Sequence, residues 1–142
     1  MKPTPRVVTK GMAFVLVIAA VAGLSACADF DVACAPVPPT VLPDGSSPGS
    51  PVTDSSLGPE MLMWGSGSSA VREAVTRVAG GDGFDPTPGL FVDVNYPAQF
   101  RDATDSPYGR PGIRWQQAVC RYEIWLDPSK SDSEVIDYAA RF

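Results

Sequence analysis

At 142 residues with 44% hydrophobic content, the chain has the length and apolar fraction of one globular domain rather than two. It contains no histidine, which excludes Ser-His-Asp and Cys-His catalysis, His-ligated zinc and a histidine proton switch. The net charge is -5, but Lys2, Arg6 and Lys10 are the only charged side chains before residue 27, so the remainder carries 8 basic residues against 16 acidic ones, a net of -8; such a surface is repelled by phosphate backbones, and nucleic acid is not an expected partner.

The N-terminus reads in three parts. A basic stretch runs from Met1 to Lys10, an uncharged apolar run from Gly11 to Gly23, and Leu24-Ser25-Ala26-Cys27 follows. A basic segment, an apolar segment of 7 to 15 residues and small residues at a cut describe a secretory signal peptide. The apolar run falls short of the roughly 20 residues that span a bilayer. Leu24-Ser25-Ala26-Cys27 resembles the lipobox of bacterial lipoproteins. The resemblance implies diacylglycerol on the Cys27 sulfur, cleavage between Ala26 and Cys27, and often a third acyl chain on the new amino group. It places the rest of the chain at the cell membrane, on its extracytoplasmic face. Two alternatives stay open: a conventional cut that leaves Cys27 an ordinary cysteine, and an uncleaved membrane anchor.

Residues 1–26 are thus expected to be a signal peptide and 27–59 a lipidated N-terminus with a spacer. Ala35 to Pro59 holds seven prolines, three glycines and several serines, a composition of partly stiff, solvated linkers without a core. Three cysteines leave an odd one in an exported chain. If Cys27 carries lipid, Cys34 and Cys120 form a natural pair for an oxidising compartment. Bonded, they would constrain the unfolded chain by about 4.6 kcal/mol on the loop-entropy model and shorten the tether to Cys27 through Cys34. Otherwise one or both remain free or pair between chains.

Residues 60–142 carry patterns that fold. Met61-Leu62-Met63-Trp64 is an apolar cluster before a Gly65-Ser66-Gly67 turn. A helix is expected over about 69–79, capped by Ser68 or Ser69, with Ala70, Val71, Ala74, Val75 and Val78 on one face and Gly80-Gly81 as its stop. A strand is expected over about 90–96, between Pro88-Gly89 and Pro97. A second spans about 116–126, with Ala118, Cys120, Tyr122, Ile124 and Leu126 on one face and Gln117, Val119, Arg121, Glu123 and Trp125 on the other. Ser131-Asp132-Ser133-Glu134 fits a capping box for a last helix over about 132–141, whose buried stripe would draw on Val135, Ile136, Ala139, Ala140 and Phe142. The order predicts a small α+β sandwich, two helices on a short antiparallel sheet, with a further strand from 60–65 or 98–114.

Gly80-Gly81-Asp82-Gly83-Phe84-Asp85 matches the first six positions of the calcium-binding nonapeptide repeat. A single copy lacks the stacked neighbours that share ligands, so Asp82 and Asp85 read as a turn before a calcium site, and no metal or cofactor is expected. The connection 97–114 gathers Arg101, Tyr108, Arg110, Arg114 and Trp115. Arginine beside aromatic rings suits a sugar or an anionic polymer, although in an acidic domain these arginines also find nearby carboxylates. The reading is a lipid-anchored envelope lipoprotein with a small, non-catalytic binding or assembly domain. Its expected partners are the membrane, through the lipid on Cys27, and an envelope protein or wall polysaccharide. The rival is an enzyme or enzyme accessory on cell-wall polymer, which needs converging carboxylates such as Asp93, Asp102 or Asp105. A third is a regulator of an envelope or phage-exclusion partner.

Overall fold

A computed structural model describes residues 33–78 and 83–142. Cys34–Phe142 form one compact unit. Its frame is a seven-stranded antiparallel sheet: β1 (Val52–Asp54), β2 (Met61–Trp64), β3 (Val71–Arg77), β4 (Phe91–Val92), β5 (Tyr96–Arg101), β6 (Gly112–Gln117) and β7 (Cys120–Trp125), in the order β1-β2-β3-β7-β6-β5-β4. One α-helix, α1 (Asp132–Ala139), and a single 3-10 turn at Gly67–Ser69 complete it. The two edge strands are the shortest, three and two residues, which limits the open backbone offered to another chain.

The expected two-helix sandwich is therefore corrected to a mainly β fold. The segment read as a helix over 69–79 is β3 up to Arg77, paired with β2 on one side and β7 on the other. Its valines and threonine favour a pleated, half-buried surface. The pattern misled because Glu73, 2% exposed, fills a core-facing position where alternation calls for an apolar side chain. The strand expected over 90–96 is folded on itself: β4 ends at Val92, and Asp93 and Val94, both at positive φ, turn the chain into β5. The strand expected over 116–126 is likewise the end of β6, a turn at Ala118 and Val119, and β7. Further strands do come from both places expected to hold one, as β2 and as parts of β5 and β6.

The expected face holds from Cys120 onward, where Cys120, Tyr122, Ile124 and the following Leu126 are buried, whereas Ala118 is exposed in the turn. Register carries that face across the sheet through Val71, Glu73 and Val75 on one side and Ile113 and Trp115 on the other. Helix α1 closes part of it with Val135, Tyr138 and Ala139. Ser131 Oγ accepts from the Glu134 amide, and Glu134 accepts from the Ser131 amide, so the capping box forms as expected. Trp115 stacks on Tyr122 at 5.3 Å between centroids and meets Phe142 edge-on at 5.4 Å.

A strap from Cys34 to Leu42 covers the rest, so the proline-rich stretch expected to lie outside the core contributes to it. Cys34 is disulfide-bonded to Cys120. The Val37 amide donates to Glu73 Oε1 at 2.6 Å, Thr40 Oγ1 to the Arg141 carbonyl at 3.2 Å, and Tyr138 Oη to the Val41 carbonyl at 2.7 Å. Leu42 is buried against Gly65, whose positive φ and missing Cβ admit the leucine side chain. Five attachments within nine residues explain why proline-rich chain is ordered here.

Candidate functional site

The β-strand period of two decides which of the expected ligand residues meet. Arg114 and Trp115 are neighbours in β6 and so leave the sheet on opposite faces. Trp115 goes into the core, 1% exposed, and is lost to any surface site. Arg114 stays on the outer face, level with Glu123 of β7 and Gln99 of β5. Arg101, level with Gly112, shares that face. So does Arg110, two residues before Gly112. Tyr108 lies over Trp125 edge-on, 5.2 Å between centroids.

Trp125, not Trp115, is the aromatic of the outer face, but at 0% exposed beneath Tyr108 it too is lost to any surface site. Its parity with Arg121 and Glu123 was the available signal. The Trp125 ring lies across Gly112, where a Cβ would overlap both the ring and the Ile124 carbonyl; only glycine admits this approach. Loop 102–111 thereby seals the upper part of the outer face.

The outer-face arginines are matched by carboxylates. Arg114 Nε and Nη2 both lie 2.7 Å from Glu123 Oε1, and Arg72 Nε lies 2.7 Å from Asp54 Oδ2. Arg110 Nη1 is 4.0 Å from Asp127 Oδ2. Burial, reinforced by the nearby positive charge of Arg72, moves the Arg110 guanidinium below its ordinary value. Hydrogen bonds from Ser56, with Arg72 adding to them, hold the Asp54 carboxyl down at about 2. Burial pushes the Tyr108 phenol up, and the charge of Glu123 adds to it. This face is a ladder of paired charges with Tyr108 and Arg101 at its upper rim. An anionic ligand would have to displace a carboxylate to reach Arg114 or Arg72.

The carboxylates named for a catalytic reading do not converge. Asp93 lies in the β4–β5 turn, level with the Gln117 end of β6, whereas Asp102 and Asp105 lie in the loop at the Gly112 end. Asp102 is occupied within its own loop by Thr104 and by the Asp105 amide, which together lower its carboxyl.

The residue that sequence reading missed is Glu73. Its carboxylate is buried among the apolar side chains of the core face, with Val37 N–H on one oxygen and Trp64 Nε1–H on the other, at 2.6 and 3.1 Å. Burial pushes this carboxyl above the ordinary range, against the pull of those two donors. A shallow groove of about 190 Å³ passes beside it, lined by Cys34, Pro36, Glu60, Met61, Leu62 and Val75. Both oxygens being occupied, Glu73 acts as the catch that holds the strap to the sheet.

Among the described residues no group of three or more acidic or cysteine side chains is arranged to hold a metal ion, and no helix is long and apolar enough to cross a membrane. Asp85 is exposed. Its expected companion Asp82, like Ala26 and Cys27, lies outside the described residues. No protein-family model, curated protein or solved structure matches the chain.

Proposed function

We propose that the chain is a lipid-anchored bacterial envelope lipoprotein. It is exported, cut before Cys27 and held by lipid on that cysteine at the extracytoplasmic face of the cell membrane. The observation that supports this reading is the Cys34–Cys120 disulfide. With those two cysteines bonded, Cys27 is the one thiol left over, and it stands at the position that the lipobox pattern Leu24-Ser25-Ala26-Cys27 assigns to the lipidated residue. A structural disulfide also belongs to an oxidising compartment, outside the cytoplasm.

The head binds or assembles with an envelope protein or wall polysaccharide and does not catalyse a reaction. Charge pairing along the outer face and the separation of Asp93 from Asp102 and Asp105 support that half of the reading over the enzyme. Fractionation of cells grown with labelled palmitate and expressing the parent or Cys27→Ala tests the anchoring. The membrane-bound parent is expected to incorporate labelled palmitate and the variant to incorporate none; equal labelling of the two would sink the reading.

A further inference from the structure

Register sorts the features of the sheet between its two ends. Cys34 is bonded to Cys120, which is level with Arg77 and Gln117. The same end carries the β6–β7 turn at Ala118 and Val119 and the β4–β5 turn at Asp93, Val94 and Asn95, because Tyr96 continues the ladder in which Ala98 faces Trp115. The opposite end carries Asp44, held against Ser69, together with Asp102, Asp105 and Asp127. Arg101, Arg110 and Lys130, the last paired with Glu134, only partly offset those acids.

Val94 is 79% exposed, more than any other large apolar side chain among the described residues. Its φ of 49° is a conformation that β-branched residues avoid. The turn thus holds an aliphatic side chain outward at a backbone cost, at a position where Gly or Asn is the ordinary choice.

The chain leaves this end toward Cys27. Seven residue steps separate Cys27 from Cys34, and fully extended they reach about 25 Å. We infer that the end of the sheet bearing Cys34, the 118–119 turn and Val94 is a membrane-docking surface, with Val94 seated in the bilayer that holds the lipid of Cys27. The inference rests on lipidation of Cys27 as proposed above. The tether joins the head at Cys34, on this end of the sheet. The exposed valine gives it an apolar contact, and the acidic end is turned away from lipid phosphates. Asp93 in that turn and Asp29 and Asp31 in the tether are unfavourable groups, and the covalent lipid offsets their repulsion.

The test places a tryptophan at either end of the full-length, lipidated protein. Intact mass first verifies the lipid on each variant. Val94→Trp and, as the opposite-end control, Asp105→Trp are reconstituted in phosphatidylglycerol/phosphatidylethanolamine vesicles with brominated acyl chains, and the parent's spectrum is subtracted to remove the buried native tryptophans. A side chain seated about 5–10 Å into the headgroup and acyl boundary meets the bromines, so the added emission at residue 94 is expected to fall about twofold while that at residue 105 is unchanged. Equal quenching at both ends, or none at residue 94 in protein that carries its lipid, overturns the docking surface and leaves the anchor standing. Protein without lipid mass overturns the anchor and, with it, this inference.

Discussion

Removing the disulfide by the double substitution Cys34→Ala and Cys120→Ala changes the unfolded chain far more than the folded one. The strap keeps its other attachments: Val37 to Glu73, Thr40 to Arg141, Val41 to Tyr138, and the buried Leu42. The folded state therefore persists. What is lost is the constraint on a loop whose ends are 86 residues apart, worth about 4.6 kcal/mol if the chain-entropy model holds and about 2–5 kcal/mol in native disulfides of small domains. Against a total of about 5–15 kcal/mol for domains of this kind, the variant becomes marginal. Urea denaturation of the intact protein followed by tryptophan fluorescence measures it. The midpoint is expected to fall, and the slope to rise because an uncrosslinked chain exposes more surface. Hydrogen exchange is expected to quicken at the Val37 amide before it does in β7. A loss below about 1 kcal/mol with an unchanged slope would refute the reasoning, since the cysteines would then not be closing that loop in solution.

Two further substitutions probe the core face and the outer face. Glu73 has a folded-state carboxyl raised above its unfolded value by burial, so the native state holds its proton over a range where the unfolded chain has lost it. Stability from this group is present below the unfolded value, near pH 4.5, and is lost as pH rises through the raised folded value. Glu73→Gln is expected to abolish that decline, while leaving either Val37 N–H or Trp64 Nε1–H without an acceptor at a cost of about 1–3 kcal/mol; urea midpoints across pH 4 to 8 check it, and parallel profiles for parent and variant would contradict it. Gly112→Ala forces a methyl group into the Trp125 ring and the Ile124 carbonyl and is expected to cost about 1–3 kcal/mol, read as a lower urea midpoint. An unchanged midpoint would show that Trp125 does not lie across this position.

What the sequence made legible was local chemistry and strand parity. Ser131 and Glu134 specify a capping box by their own side chains, and it forms. The alternation from Cys120 to Leu126 depends only on pleat, and its buried face holds. The turns were hidden because Asp93-Val94 and Ala118-Val119 lack the glycine that positive φ usually selects; context pays for them. β3 was hidden by Glu73. A buried carboxylate at a core position interrupts the period-two signal and leaves valines that also fit a helix face. Its partner, the Val37 amide, lies 36 residues earlier, beyond the reach of any local pattern. The same long-range contacts turn a proline-rich stretch into a strap. Within the candidate site, the arginines of residues 101 to 114 were legible as a group, but their distribution between faces required knowing that Gly112 begins a strand.

The central claim is that lipid on Cys27 anchors this head close to a membrane. Intact mass of the protein extracted from the membrane fraction tests it most directly, with Cys27→Ala alongside. The account predicts loss of residues 1–26 and added diacylglycerol mass in the parent, with neither in the variant. A parent that retains residues 1–26, or that is cut without lipid, would contradict it.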